Sequence, residues 1–208
     1  MGDYELMRIA FCIPGNTFSG WFLENWTNLI QSLPNTMEYK LFRNYHPVIF
    51  DVRDKLTTKA MSYNPDYYMW IDSDINFSPK DFERLFEYDH DIISGLYTFS
   101  DAPTMMKEYG EVSFCAHHLS ERRWITTEDI VDNDKPMLCR GNGMGWMLVK
   151  AKVFDSVKDP FLPDGHRSED MLFQSRCLDQ GFKSYVHPKI ILGHEKMVIL
   201  KGKDVLSH

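Results

Sequence analysis

The sequence predicts an α/β fold with a mostly parallel sheet, helices on both faces and a smaller antiparallel portion. Over the first hundred residues, short apolar runs alternate with longer segments whose apolar residues recur at helical spacing, which is typical of strand–helix–strand units. Gly, Pro, Asn or Asp follow several of these runs, as expected where strands end. The chain has 208 residues, 43% of them hydrophobic, so we expect one domain with its own core.

The first half supplies most of the expected parallel strands, predicted at 7–13, 39–42, 67–71 and 92–97. Between them, helical spacing of apolar residues predicts helices at about 18–33 and at 52–63. A third helix should begin just after Ser78, because Ser78, Pro79 and Asp81 supply a cap, a first-turn proline and a first-turn acid.

The second half is expected to mix helices with antiparallel strands. The predicted elements are a strand at 146–149, helices at 152–157 and 168–179, and extended segments at 184–187 and 189–192. Gly181 should end the longer helix. Residues 98–136 are rich in charge and are expected to be irregular.

Composition and charge exclude several classes of protein. The net charge is −7 and the basic residues are scattered, which argues against broad nucleic-acid binding. The four cysteines lack C-x-x-C spacing, and three of them lie in apolar contexts typical of reduced core thiols. No apolar run reaches the roughly 18 residues that span a bilayer, and the N-terminus is acidic, unlike a signal peptide. We therefore expect a soluble, cytoplasmic protein, with its oligomeric state open.

Two carboxylates follow the apolar run "YYMWI". Asp72 and Asp74 are separated by one residue, so in extended chain they point to the same side. Such a pair repels unless a cation lies near it, and Mg²⁺ or Mn²⁺ suits oxygen ligands of this kind. The alternative is that one of the two caps a turn.

Two more carboxylates open the predicted helix at 168–179. Glu169 and Asp170 follow the N-cap candidate Ser168, where the helix dipole favours the ionised form. Either carboxylate is a candidate general base. The alternative is an ordinary acidic first turn.

His194 and a glycine cluster are the remaining candidates. His194 follows an apolar strand and a glycine, and neutral imidazole is a ligand for metals such as Mn²⁺; it is equally consistent with a structural histidine. In "RGNGMGWMLV", residues 140–149, three glycines alternate before a strand. They permit close approach of a ligand or a bulge in the strand.

Taken in order, these segments resemble the GT-A fold glycosyltransferases, which use nucleotide-activated sugars. The resemblance covers Met7 to about Lys196. It rests on the opening strand, Arg53, "DYYMWIDSD" (66–74), "IISGLY" (92–97), "RGNGMGWMLVKAKVF" (140–154), "SEDMLFQSRCLDQGF" (168–182) and "GHEK" (193–196). It implies one catalytic domain over 1–208, with a nucleotide-binding half (1–100) and an acceptor and catalytic half (101–208).

The resemblance also implies ligands for a metal and a donor. Asp72 and Asp74 match the D-x-D motif, with Asp74 on a Mn²⁺ or Mg²⁺ ion, Asp72 on the ribose or the metal, and His194 completing the metal shell. Four residues would line the base and ribose pocket of a UDP- or GDP-sugar donor: Pro14, Gly15, Asn16 and Arg53.

The implied chemistry is inverting transfer of a sugar to an acceptor hydroxyl. Asp170, or second to it Glu169, matches the acidic position that deprotonates this hydroxyl. Gly143 and Trp146 would lie near the donor sugar and the acceptor. One departure is that "GLY" is followed by Thr98 rather than by a basic residue.

Two other classes of function stay open on the residues alone. A nucleotidyltransferase or metal-dependent phosphohydrolase also uses paired aspartates, although "IPGNTFSG" at 13–20 lacks the basic residue expected of a nucleotidyltransferase loop. A non-catalytic carbohydrate-binding or scaffold protein would keep the sheet and lose metal binding.

Overall fold

The computed structural model of the chain describes residues 6–99, 106, 110 and 112–196. Within these residues the strands are β1 (Met7–Pro14), β2 (Met37–Asn44), β3 (Tyr67–Ile71), β4 (Ile75–Asn76), β5 (Ile92–Leu96), β6 (Ser113–His118), β7 (Trp124–Thr126), β8 (Met137–Asn142), β9 (Trp146–Lys150), β10 (Ser184–Ile191) and β11 (Gly193–His194). The α-helices are α1 (Gly20–Ser32), α2 (Ile49–Met61), α3 (Pro79–Glu83), α4 (Thr127–Ile130), α5 (Ala151–Ser156) and α6 (Glu169–Asp179), and a 3₁₀ turn spans Arg84–Phe86.

A nine-stranded sheet organises the described residues in the order β2-β1-β3-β9-β5-β10-β8-β6-β7. β1 is parallel to both β2 and β3, and β5 is parallel to β10. β9 runs antiparallel between β3 and β5, and β8, β6 and β7 form an antiparallel edge. A strand from the second half of the chain thus lies between two strands of the first half.

Helices cover both faces of this sheet because its central strands are apolar on both sides. In β1, Ala10 and Cys12 face a core completed by α2, α5 and α6. Ile9, Phe11 and Ile13 face the opposite core, which α1, α3 and the 3₁₀ turn complete. A smaller third core lies under the antiparallel edge and includes Ile130 of α4.

Local sequence chemistry explains the helix ends. Ser19 caps α1 by accepting a hydrogen bond from the Phe22 N–H at 3.0 Å, so the helix begins two residues later than predicted. Ser78 and Asp81 form the expected capping box of α3. Gly181 has φ +87°, in the left-handed region, and ends α6 as predicted.

Two predictions about the second half need correction. The region 98–136 is not irregular throughout, because β6, β7 and α4 lie within it; these elements are short and their residues only partly apolar. The segments 184–187 and 189–192 belong to one strand, β10, whose pairing with β5 shifts register across the proline between them. The described helices lack the length and apolar character needed to cross a membrane.

Candidate functional site

The Asp72–Asp74 turn lies at the carboxyl end of β3. The Asp72 N–H donates to the Gly145 carbonyl at 2.9 Å, and the Ile75 N–H donates to the Asp72 carbonyl at 3.2 Å, which closes the turn. Since β1 is the parallel neighbour of β3, Pro14 and Gly15 lie at the same edge of the sheet. Open α/β sheets bind ligands at this edge.

Pairing of β11 with β4 brings the far end of the chain to this turn. His194 lies opposite Ile75 in the antiparallel register. The Glu195 N–H donates to the Asp74 carbonyl at 2.8 Å. The backbone therefore fixes the distance between the D-x-D segment and His194.

The side chains of Asp74 and His194 meet at this junction. Nε2 of His194 is 3.3 Å from Oδ2 of Asp74, and Nζ of Lys196 is 2.6 Å from the same oxygen. Nδ1 of His194 donates to the Thr98 carbonyl at 2.7 Å, since a carbonyl can only accept; this contact leaves Nε2 for a second partner. Burial opposes ionisation of Asp74, but the hydrogen bonds from His194 and Lys196 outweigh it and lower its pKa to about 2.

These donors fit a hard divalent cation. The described residues contain no group of three or more His, Cys, Asp or Glu side chains arranged for a metal ion. Mg²⁺-type sites nevertheless use one or two carboxylates and take their remaining ligands from phosphates and water. Asp74 and His194 suit that arrangement, because the Nδ1 hydrogen bond to the Thr98 carbonyl orients the imidazole as in other metal sites.

Arg53 holds two of the predicted site carboxylates together. Its guanidinium is only 3% exposed, and it donates from Nε to Glu169 at 3.0 Å and from Nη2 to Asp72 at 3.2 Å. Its Nη1 is buried with no hydrogen-bond partner among the described residues. Burial raises the pKa of Asp72, and the charge of Arg53 offsets part of this rise. These ion pairs therefore fix the positions of Asp72 and Glu169, and they neutralise much of the positive charge of Arg53.

Asp170 has a different environment from Glu169, its neighbour in α6. Its Oδ1 accepts hydrogen bonds from the Ser168 hydroxyl and from the Met171 N–H, while Oδ2 accepts none from the described residues. Burial raises the pKa of Asp170, which the hydrogen bond from Ser168 partly counteracts. Because Glu169 is bound to Arg53 and Asp170 is not, Asp170 is the better candidate for a base.

A pair of amide contacts fixes α6 on the glycine-rich strand β8. The Asn142 N–H donates to Oε1 of Gln174 at 3.0 Å, and Nε2 of Gln174 donates back to the Asn142 carbonyl and to the Asp170 carbonyl. Gln174 is 1% exposed. These hydrogen bonds fix the first turn of α6 relative to β8.

A cavity of about 370 Å³ opens beside Asp72 and Asp74. We call it the donor cavity, after the nucleotide-sugar donor that the resemblance of the sequence predicts; its lining residues are Pro14, Gly15, Tyr45, His46, Pro47, Ile49, Val52, Asp72, Ser73 and Asp74. Gly15 has φ +154°, and a Cβ atom there would lie 2.7 Å from Ser73, so glycine is needed for the two loops to meet. The volume falls within the range of small-molecule sites.

Three of the predicted ligand residues, Arg53, Asn16 and Trp146, are not among the residues that line the donor cavity. Arg53 lies behind the donor cavity, paired with carboxylates, and Asn16 is exposed outside its lining. Trp146 is fully buried, with its ring 4.6 Å from that of Phe77, so its side chain does not reach a ligand. Gly143 is also buried.

Packing on Tyr97 explains the glycine cluster. A Cβ atom at Gly143 would lie 2.0 Å from the Tyr97 hydroxyl, and one at Gly145 would lie 2.9 Å from it. The Gly145 N–H also donates to that hydroxyl at 2.9 Å. Close packing of an aromatic ring on this backbone accounts for both glycines, and a donor contact of Gly143 stays a prediction.

Sequence reasoning missed Lys196, Gln174 and Tyr97 as parts of the site. Lys196 was within the matched "GHEK" segment but received no role, because its contact with Asp74 depends on pairing of β11 with β4. A polar residue on an apolar helix face could have pointed to Gln174.

Comparisons with known proteins agree on the fold. No protein-family model and no curated protein matches this chain. Among solved structures, it is similar to A197 from STIV, with a TM-score of 0.58, 14% identity, and coverage of 94% of this chain and 97% of that chain. It is also similar to GalNAc-T7 with UDP, GalNAc and Mn²⁺, with a TM-score of 0.60, 11% identity, and coverage of 95% of this chain and 45% of that chain.

A weaker similarity, with a TM-score of 0.48 and 14% identity, links the chain to the inositol-1-phosphate CTP transferase from T. maritima, over 95% of this chain and 93% of that chain. Identities this low show the fold alone. The two similarities with TM-scores of 0.58 and 0.60 confirm the predicted α/β fold of the nucleotide-diphospho-sugar transferase type, with a large and mostly parallel sheet.

Proposed function

We propose that the protein transfers a sugar from a nucleoside-diphosphate sugar to an acceptor hydroxyl, in a metal-dependent reaction with inversion. The observation that carries the proposal is the 3.3 Å separation of His194 and Asp74 beside the donor cavity. Two metal-ligand types from distant parts of the chain meet at the sheet edge where open α/β sheets bind ligands. A structure of the same fold was determined with UDP, GalNAc and Mn²⁺, which supports this choice of ligands.

The donor end of the site is assigned to the Asp72–Asp74 turn and His194. Asp74 and His194 would hold a Mn²⁺ or Mg²⁺ ion, whose charge stabilises the negative charge that develops on the departing diphosphate. Asp72, fixed by Arg53, would accept a hydrogen bond from the ribose. Pro14 and Gly15 would lie against the nucleoside. An acidic protein can bind a polyanion here because the cation supplies the local positive charge.

Asp170 would act as the general base. It takes the proton of the acceptor hydroxyl while the hydroxyl oxygen bonds to the anomeric carbon. The bond from that carbon to the diphosphate oxygen breaks, and its electron pair leaves with the diphosphate. The raised pKa of Asp170 makes its carboxylate a better proton acceptor.

Thermal unfolding with nucleotides and metal tests the proposal. The purified protein is melted with and without Mn²⁺ in the presence of UDP, GDP or CMP. We expect a nucleoside diphosphate to raise the melting temperature only when Mn²⁺ is present. Asp74→Asn should remove this effect. Asp89→Asn, at an exposed aspartate that pairs with Lys150, is the matched control and should keep it.

The outcomes separate the alternative functions. Stabilisation by diphosphate and Mn²⁺, followed by release of free sugar from one member of a panel of UDP- and GDP-sugars, would support sugar transfer. Stabilisation by CMP or by a nucleoside triphosphate alone would favour a nucleotidyltransferase. Indifference to all nucleotides, with or without metal, would favour a non-catalytic protein.

A further inference from the structure

A second cavity, of about 320 Å³, lies beside the first turn of α6 and has a basic lining. We call it the basic cavity; it is lined by His117, Arg140, Arg167, Ser168, Met171, Ser175 and Leu178. The lining comes from β6, β8, α6 and the segment before α6, so the fold assembles it from separate parts of the chain. For a protein with a net charge of −7, two arginines in one cavity are a local excess of positive charge.

Arg167 is oriented before any ligand arrives. Its Nε donates to Asp164 Oδ2 at 2.7 Å, and its Nη1 donates to the Ser175 hydroxyl at 2.8 Å. Asp164 also accepts from the backbone N–H groups of His166 and Arg167 at 3.0 Å each. Asp164 offsets part of the Arg167 charge, yet Nη2 of Arg167 donates to none of the described residues.

Arg140 provides an uncompensated charge. Its exposed side chain makes no hydrogen bond and no ion pair with the part of the chain that the structure describes. His117 lies beside it on β6, with its ring 3.7 Å from that of Trp124. Burial and, to a smaller extent, the charge of Arg140 lower the pKa of His117, so the imidazole contributes a hydrogen-bonding group rather than a second charge.

The basic cavity adjoins the proposed base. Ser168 lines the cavity, and its hydroxyl donates to Oδ1 of Asp170. On the other side of this turn, Glu169 is bound to Arg53, which also holds Asp72 of the donor cavity. The first turn of α6, which carries the proposed base, is therefore linked by hydrogen bonds to residues of both cavities.

We propose that the basic cavity binds an anionic group, a phosphate or a carboxylate, on the acceptor whose hydroxyl Asp170 deprotonates. The proposal rests on the sugar transfer proposed above and adds the chemical class of the acceptor. Guanidinium groups bind both anions through paired N–H donors. Because the carboxylates at the reacting centre repel an anion, a separate basic site would fix the acceptor with its anionic end away from them.

A binding experiment tests the anion site without turnover. Inorganic phosphate and glucuronate are titrated into the full chain, and the Trp124 indole N–H resonance is followed, assigned by its loss in Trp124→Phe. Saturable shifts are expected, with affinity at least tenfold weaker in Arg140→Gln, since the substitution removes charge-assisted hydrogen bonds to the anion. The matched control is Arg8→Gln, at an arginine on β1, five strand positions away from β8 in the sheet, and it should leave the shifts unchanged.

A kinetic experiment tests the acceptor role with acceptors that differ only in the anionic group. Glucose, glucuronate and glucose 6-phosphate are compared with the donor found by the sugar-release panel. We expect the two anions to have the higher kcat/KM. Arg140→Gln should lower their advantage over glucose about tenfold, mainly through KM. A preference for glucuronate over glucose 6-phosphate, or the reverse, identifies which anion the acceptor carries.

The results distinguish the two proposals. Metal-dependent nucleotide binding without anion binding, or equal use of glucose and both anions, would overturn the anionic acceptor and leave sugar transfer intact. Anion binding without any nucleotide binding would overturn the acceptor role together with sugar transfer. Both kinds of binding, with the Arg140 effect confined to the anionic acceptors, would support the proposal.

Discussion

The donor cavity and the basic cavity differ in how their charged side chains are paired. In the donor cavity, each carboxylate of the D-x-D segment is paired with a cation of the protein, Asp72 with Arg53 and Asp74 with Lys196. In the basic cavity, Arg140 has no partner among the described residues, and Arg167 keeps free N–H donors.

This difference in charge pairing predicts what each cavity must exchange when it binds a ligand. A divalent ion at Asp74 has to compete with the ammonium group of Lys196, whereas an anion in the basic cavity displaces only water from Arg140. Internal ion pairs thus order the carboxylates beside the donor cavity before a ligand binds. The buried Arg53 pairs with Asp72 and Glu169. The basic cavity depends on its ligand to balance its charge.

The largest expected effect concerns Asp170, the proposed base. Asp170→Asn should lower the rate of sugar transfer by about 10² to 10⁴-fold, the range for loss of a general base, while Mn²⁺-dependent nucleotide binding persists. Single-turnover transfer and calorimetric titration measure the two quantities. Glu169→Gln is the control for the neighbouring position, and an unchanged turnover in Asp170→Asn would remove Asp170 as the base.

Removal of Arg53 tests whether the donor cavity is ordered by internal ion pairs. Arg53→Met leaves Asp72 and Glu169 close together without their shared cation, and breaking a buried ion pair by removing one partner costs about 3–5 kcal/mol. We expect the free energy of unfolding, measured with urea, to fall by about 3 kcal/mol, because Asp72 is partly exposed. Arg53→Met combined with Asp72→Asn and Glu169→Gln should recover part of the loss; no recovery would show that lost packing dominates.

Substitution of Lys196 tests whether its ammonium group competes with a metal ion for Asp74. Lys196→Met removes an ion pair that is more than a third exposed on both sides, and such pairs contribute about 0.2–1 kcal/mol. Mn²⁺ affinity without nucleotide should therefore rise by up to about fivefold, as measured by calorimetry. Lys189→Met removes a comparable pair with Asp134 and should change nothing. A lower Mn²⁺ affinity in Lys196→Met would contradict competition.

The smallest expected effect is a change of stability with pH at Asp74. Its pKa in the folded protein is lowered to about 2, below the value near 3.9 of an unfolded chain. The contribution of the ionised form is therefore present above about pH 4 and is lost as the pH falls towards 2. Urea unfolding of the wild type and of Asp74→Asn should converge over that window. Parallel curves would place the stabilising contacts elsewhere.

The sequence predicts local structure well where one pattern dominates. The strand at 67–71, the helix start at Ser78 and the end of α6 at Gly181 follow from apolar runs, caps and glycine conformation, and the structure has all three. Within 98–136 the prediction of irregular structure was wrong for β6, β7 and α4; these elements are short, and β6 pairs with β7 and with β8. Residues 100–105, 107–109 and 111 of this range lie outside the described part of the chain.

For the candidate site residues too, some features follow from local sequence patterns and others depend on tertiary contacts. Asp72, Asp74, Asp170 and His194 could be named because strand ends and helix starts place polar side chains predictably. The burial of Arg53 and Trp146 could not be predicted, because burial depends on neighbours from other parts of the chain; their roles as ligand contacts stay predictions. Lys196 and Gln174 were missed for the same reason.

The sequence by itself determined the α/β class, most strand and helix positions and the identity of the carboxylates, because each depends on residues close together in the chain. Only the tertiary structure decided that His194 lies beside Asp74, that Arg53 joins Asp72 to Glu169, and that Arg140 and Arg167 share a cavity. These contacts depend on which strands pair and in which register, and that choice is made by packing among distant segments rather than by any local pattern.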